Sequence, residues 1–178
     1  ADTLQGSGTI SADGGNGYSY GGGGGGGRIA IYYVSDSSSY TTTAYGGTSP
    51  NSSIRFGGAG TIFEKASSQT NGDLTIDNNG KDFSEDNRLA GRTTVESLTF
   101  DGITLSNKGH LSVESGKTIG YTTLSWTGGI VEDNGGTFAL VSGGSSLTVP
   151  STSILIANTS RSFTSGSFAG NVTHSANK

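Results

Sequence analysis

The chain has no cysteine and no methionine, two prolines and one tryptophan among its 178 residues, and only 13% of its residues are charged. Without cysteine neither a disulfide framework nor a thiolate metal site can form, so rigidity has to come from hydrogen-bonded ladders. Ten Lys and Arg against fourteen Asp and Glu leave a net charge of −4. No basic stripe stands out, which argues against nucleic acid as a partner. Long apolar runs are missing too, so membrane insertion is not expected, and no signal peptide is visible. The sequence starts at Ala1 without a methionine and reads as a mature form or an excised piece.

Glycine, at 32 residues, is abundant, and Ser, Thr and Asn fill much of the remainder, while hydrophobic residues make up 30%. Solubility therefore rests on uncharged polar groups, the palette of an extracellular β protein. Wholesale disorder is disfavoured, because charge is low and Ile, Val, Thr, Tyr and Phe recur throughout. The length suits one domain or one segment of a longer array.

Seven consecutive glycines, Gly21 to Gly27, run directly into Arg28-Ile29-Ala30-Ile31-Tyr32-Tyr33. Glycine buries no side chain and loses much entropy on ordering, so such a run is either a mobile loop or a place where backbones pack closely. A second cluster, Gly57 to Gly60, also precedes an apolar strand, Thr61 to Lys65, so both read as punctuation between strands or as close backbone contacts. On that reading a Gly24→Val change disturbs packing or assembly rather than a chemical activity.

Strand signals follow the whole chain. Leu4 to Ala12 alternates weakly and closes in Asp13-Gly14-Gly15-Asn16-Gly17, and Leu74 and Ile76 share one face before the turn Asn78-Asn79-Gly80. Ser35 to Ser53 reads as a polar excursion, and Lys81 to Arg92, the most charged stretch, as a loop with room for a helical turn. From Thr93 onward apolar residues come in pairs two apart: Leu98 and Phe100, Ile103 and Leu105, Leu111 and Val113, Leu124 and Trp126, Phe138 and Leu140, Leu147 and Val149, Ile154 and Ile156. That spacing is strand periodicity. The expectation is a single all-β domain over 1–178, with a glycine-rich N-terminal part over 1–60 and a more regular short-strand part over 93–178. Short strands with Asn and Gly turns favour a parallel β-helix-like solenoid, with a β-sandwich as the alternative.

The segments Gly6 to Gly17, Gly21 to Tyr33, Gly58 to Phe63 and Gly72 to Gly80 resemble glycine-rich repeat modules of very large bacterial cell-surface and adhesin-like proteins. The resemblance covers roughly the first half. Those modules are similar to the right-handed parallel β-helices also used by pectate-lyase-like proteins, which implies an extracellular structural or adhesive role and assigns no functional residue.

Chemistry has few footholds. A phosphate-binding loop needs Lys followed by Ser or Thr at a helix start, and here Arg28 leads into a strand; no helix follows to complete a dinucleotide fingerprint. His110 and His174 are the only histidines, without Cys or a second His near enough to suggest zinc, and both read as solvated surface residues. Asp73, Asp77, Asn79 and Asp82, with Glu85 and Asp86, group hard oxygen donors around Gly80, which suits calcium, although Asn-Asn-Gly is also simply a good turn. Glu132-Asp133-Asn134 forms a second acidic turn. Carboxylate pairs for glycoside cleavage can be assembled across distant segments, but titratable groups are sparse, and no catalysis is expected.

Tyr18, Tyr20, Tyr40, Tyr45 and Trp126, together with Tyr32 and Tyr33, offer flat rings for stacking on sugar faces; the alternative is that Tyr32 or Tyr33 fills the core and the others cap glycine loops. Asn51, Asn158 and Asn171 head acceptor sequons for glycosylation. The functional expectation is an extracellular, cell-surface structural or adhesive module that self-associates, or joins neighbouring modules, by way of exposed strand edges such as Leu4 to Ala12, and needs no cofactor. The alternatives are a carbohydrate-binding module and a pectate-lyase-like polysaccharide-degrading enzyme.

Overall fold

The computed structural model describes residues 1–50, 55–81, 91–140, 146–157, 165–168 and 171–174. Among them the protein is all-β, with several sheets and no α-helix. The first strands are β1 (Thr3–Leu4), β2 (Ser7–Ser11), β3 (Arg28–Tyr33), β4 (Ser35–Asp36), β5 (Ser39–Thr43), β6 (Thr61–Ala66) and β7 (Asp73–Asp77). They are followed by β8 (Thr93–Thr94), β9 (Leu98–Ser106), β10 (His110–Glu114), β11 (Thr118–Trp126), β12 (Gly129–Asn134) and β13 (Thr137–Leu140). Last come β14 (Ser146–Val149), β15 (Ser153–Ala157), β16 (Ser165–Phe168) and β17 (Asn171–His174). The apolar pairs expected on strands all fall on them, from Leu74 and Ile76 on β7 to Ile154 and Ile156 on β15.

Among the described residues every strand pair but one is parallel, the exception being the hairpin of β6 and β7. A six-stranded sheet runs β13-β11-β9-β7-β6-β3 and a five-stranded sheet β17-β15-β12-β10-β8. The register repeats along the chain. Thr3 lies beside Ser35 and Ser7 beside Ser39, 32 residues on, and Arg28 lies beside Thr61, 33 residues on. Further along the step shortens, with Leu98 beside Ile119 and His110 beside Ile130.

The main core lies between the two large sheets, where Leu74, Ile76, Phe100, Ile103, Leu105 and Ile119 meet Leu111, Val113, Val131 and Leu155. A smaller cluster, Ile29, Ala44 and Ile62, fills the N-terminal part. The two use opposite faces of one sheet. Ile29 and Ile62 pair in register and face the small cluster, whereas Phe63, the next residue, pairs with Leu74 and packs on the main one. Asp101 holds the hairpin that makes this change, accepting the backbone N–H groups of Asn71 at 3.0 Å and Gly72 at 3.1 Å. Those bonds, opposed by partial desolvation, keep its carboxyl below the usual range.

The glycine-rich segments are neither loops nor sheet strands. Four of them, 12–17, 21–27, 44–48 and 55–60, interlock by backbone hydrogen bonds. Gly23 and Gly26 donate to Arg55 and Gly58 in the fourth segment, while Gly24 and Gly27 donate to Gly15 and Ala12 in the first. Gly47 of the third donates to Gly24 of the second, and Gly57 and Gly60 of the fourth donate to Gly47 and Ala44 of the third. The second segment thus bonds three neighbours, where a sheet strand has at most two. Donors repeat every third residue along it, which is the rotation of a polyproline II chain with three residues per turn.

Space, not conformation, demands glycine here, because none of these glycines has a left-handed φ. A Cβ would lie 2.0 Å from the Gly47 oxygen at Gly23, 2.1 Å from the Ala44 oxygen at Gly26 and 1.8 Å from the Gly24 oxygen at Gly57. At Gly24 the closest approach would be 3.4 Å and at Gly25 3.9 Å, so the tight positions of the run are Gly23 and Gly26 rather than Gly24 itself. Side chains finish what the backbone leaves. Asp13 accepts the Tyr45 N–H at 2.6 Å, Asn16 the Thr48 N–H at 2.8 Å and buried Asn78 the Gly46 N–H at 2.9 Å.

Candidate functional site

On β3 the odd-numbered Ile29 turns into the small cluster, so Arg28, Ala30 and Tyr32 stand on the opposite face. On β6 the same alternation puts Thr61, Phe63 and Lys65 beside them. Where the core changes sides at the β6–β7 hairpin, this face runs from open surface into the edge of the main core. The result is a groove of about 410 Å³ lined by Ala30, Tyr32, Phe63, Leu74, Leu98 and Phe100. Three rings step along it, Tyr32 to Phe63 at 5.6 Å between centroids and Phe63 to Phe100 at 6.2 Å. Phe100 is buried and holds the floor, whereas Tyr32 is 58% exposed.

The rim is polar. Arg28, Thr61, Asn71, Thr94, Glu96 and Thr99 surround the apolar floor. Glu96 is paired with Lys117, and Asn71 is fixed by its Nδ2 bond to Asp101 at 3.1 Å. Through Asn71, Leu98 and Thr99 the groove opens into a second hollow of about 530 Å³ bordered by Lys65, Thr70, Ser97 and Thr118. An apolar floor with a few convergent polar groups is the general form of a small-ligand site.

The titratable residues meet elsewhere, under cover. His110, Ser112 and Glu114 on β10 lie on the face turned away from Leu111 and Val113, beside Ile130, Glu132 and Asn134 of β12. Glu132 accepts from His110 Nε2 at 2.9 Å and from Arg92 Nε at 2.6 Å, and its second oxygen pairs with Arg92 Nη2. Burial alone would raise its pKa, but the bonds from His110 and Arg92 prevail and bring it down to about 2. Alongside, Glu114 accepts from Ser112 Oγ at 2.8 Å and Asn134 Nδ2 at 2.6 Å. These contacts staple Arg92, just before β8, to β10 and β12.

Several expected positions are corrected. His110 is fully buried rather than solvated, because both faces of β10 are covered and its ring has an internal partner. Trp126 is 5% exposed within the main core and presents no ring to a ligand. Tyr18 and Tyr20 are open to solvent, Tyr40 donates to Glu64 at 3.1 Å, and Tyr45 carries the Lys81 ammonium 5.2 Å from its ring centre. None of these five lines the groove, whereas Tyr32, read either as a sugar platform or as core filler, does.

Asp73 and Asp77 stand at opposite ends of β7, about 13 Å apart at strand rise. Asp73 is bonded to Gln69 at 2.6 Å, and Asp77 accepts from Ser106, Asn107 and the Asn79 N–H, so the acidic stretch organises turns. No group of three or more His, Asp or Glu placed to hold a metal is found among the described residues. Asp82, Asn51 and Asn158 lie outside the described residues, and Asn171 opens β17.

The Tyr32–Phe63 pairing was hidden in the sequence because it depends on a 33-residue register step. Aligning Ala12-Asp13-Gly14-Gly15 with Ala44-Tyr45-Gly46-Gly47, 32 residues on, is the signal that points to a repeat within one residue of that step. Compared with known proteins, the chain matches no family model, no curated protein and no solved structure.

Proposed function

We propose that the chain is a module of an extracellular structural or adhesive surface protein, wound as a right-handed parallel β-solenoid and carrying out no catalysis. The observation that carries this reading is the interlocked glycine bundle, in which segments 44–48 and 55–60 lock onto the pass 32 or 33 residues before them mainly through backbone hydrogen bonds. Such stacking builds a stiff spacer whose rigidity needs neither disulfides nor a large hydrocarbon core. The right hand follows from the strong preference of parallel crossover connections. The clustered ionisable side chains serve as a buried staple, away from the groove.

Neighbouring modules of the same surface assembly are the proposed partners. Strand β2 is exposed along its whole length and forms the edge of a two-stranded sheet, an open template for another strand. Immunogold labelling of intact producing cells with antibody to the module tests the reading. Gold on the outer surface is the expected result, and gold confined to the cell interior overturns it.

A further inference from the structure

We infer that the groove beneath Tyr32 binds a neutral oligosaccharide, with Tyr32 as the stacking platform. The proposal goes beyond the spacer reading, since a rigid module can carry a glycan site whether or not it joins an assembly.

The occupant follows from how apolar and polar groups are distributed. A pyranose ring has a C–H face and a belt of hydroxyls, so it needs a flat apolar surface bordered by hydrogen-bonding groups. Here an exposed tyrosine ring is held against Phe63, which itself leans on buried Phe100, so the platform is braced from behind. Two χ angles and a packed back make that ring inexpensive to order on binding. Four of the six polar residues at the border, Thr61, Thr94, Thr99 and Asn71, offer neutral hydroxyl or amide groups.

Charge is confined to the rim, where the Glu96 carboxylate is paired with Lys117 and Arg28 is the remaining charged group. The other polar groups along the groove are hydroxyl and amide, which favours an uncharged ligand, and the trigalacturonate arm of the test reports whether Arg28 draws an acidic chain instead. A lipid would require a deeper and wholly apolar channel, whereas this groove has amide and hydroxyl groups along its length. Its continuation past Asn71 and Thr99 into the hollow bordered by Lys65, Thr70, Ser97 and Thr118 gives an elongated track, suited to a chain of sugars rather than one. Asn71 stands at the junction, its orientation set by Asp101, where it can contact two consecutive rings.

The test is isothermal titration of the chain with cellohexaose, xylohexaose and mannohexaose, with trigalacturonate and a fluorescent fatty acid as competing chemistries. Binding of at least one neutral hexaose is expected, weakened about tenfold or more by Tyr32→Ala and largely retained by Tyr32→Phe. Tyr18→Ala, on a fully exposed ring outside the groove, is expected to leave the affinity unchanged. Because Tyr32 is mostly exposed, the alanine variant keeps its fold, which its circular dichroism and melting curve verify. Silence of all three hexaoses at millimolar concentration overturns the proposal. So does tighter binding of trigalacturonate or the fatty acid, or a Tyr18→Ala loss equal to that of Tyr32→Ala. None of these outcomes bears on where the gold label falls.

Discussion

The Asn78 side chain sits one pass beyond Gly46 and takes the place of a backbone, accepting the Gly46 N–H on Oδ1 at 2.9 Å and giving Nδ2 to the Gly57 carbonyl at 3.2 Å. It is fully buried, and the same amide also donates to the Lys81 carbonyl at 2.9 Å. One amide therefore ends the glycine bundle where the glycines run out.

Asn78→Ala is expected to lower stability by about 2 kcal/mol, because it strands a buried N–H without its acceptor. Asn78→Asp keeps the acceptor and loses both donations, so it brings a carboxylate up against two carbonyls and is expected to cost more. Urea unfolding followed by Trp126 fluorescence measures both.

Two glycines of the same bundle, each beside another glycine, should behave oppositely. Gly57→Ala drives a methyl into the Gly24 carbonyl and is expected to cost about 3 kcal/mol or prevent folding. Gly15→Ala meets nothing within 4 Å and is expected to be neutral or to stabilise by about 0.5 kcal/mol through the unfolded chain. Thermal melts of the two variants side by side decide it.

The staple at Glu132 sets an acid limit. Its folded pKa, near 2, lies below the ordinary 4.5, so the native state holds fewer protons than the unfolded one as pH falls. The stabilisation is complete above about pH 4.5 and is lost as pH drops toward 2, by on the order of 3 kcal/mol. Glu132→Gln is expected to be less stable at pH 7, because Arg92 keeps its charge without a counterion, and to show a shallower decline between those pH values. Urea midpoints taken across pH 2 to 7 provide the comparison.

At the alkaline end, desolvation and the neighbouring Glu64 push the Tyr40 phenol up to about 12. Folding thus favours its protonated form, and that contribution is present below pH 10 and fades between 10 and 12. Ultraviolet titration of tyrosinate is expected to lose a step near pH 12 in Tyr40→Phe.

Legibility in the sequence followed the period of each element. Residues two apart, such as Leu111 and Val113, announce strands because a sheet repeats every two residues, and their burial followed. The glycine run defeats that logic, since residues without side chains leave no pattern, and its three-residue order emerges only from which neighbour each N–H meets. His110 looked solvated because its partners are far off in sequence: Glu132 lies 22 residues on and Arg92 comes from before β8. Trp126 offered a sugar platform on composition, but its alternation with Leu124 on a strand covered on one face placed it inside. The groove was invisible for a related reason: it exists only where the core changes sides at a hairpin.

The glycine bundle also sets how this protein should respond to temperature. Exposing hydrocarbon to water raises heat capacity and exposing amide lowers it. A region that packs peptide groups against peptide groups therefore unfolds with little net heat-capacity change, and its free energy varies gently from cold to warm instead of along a steep dome. Its order persists at low temperature, where the hydrophobic contribution to the main core weakens.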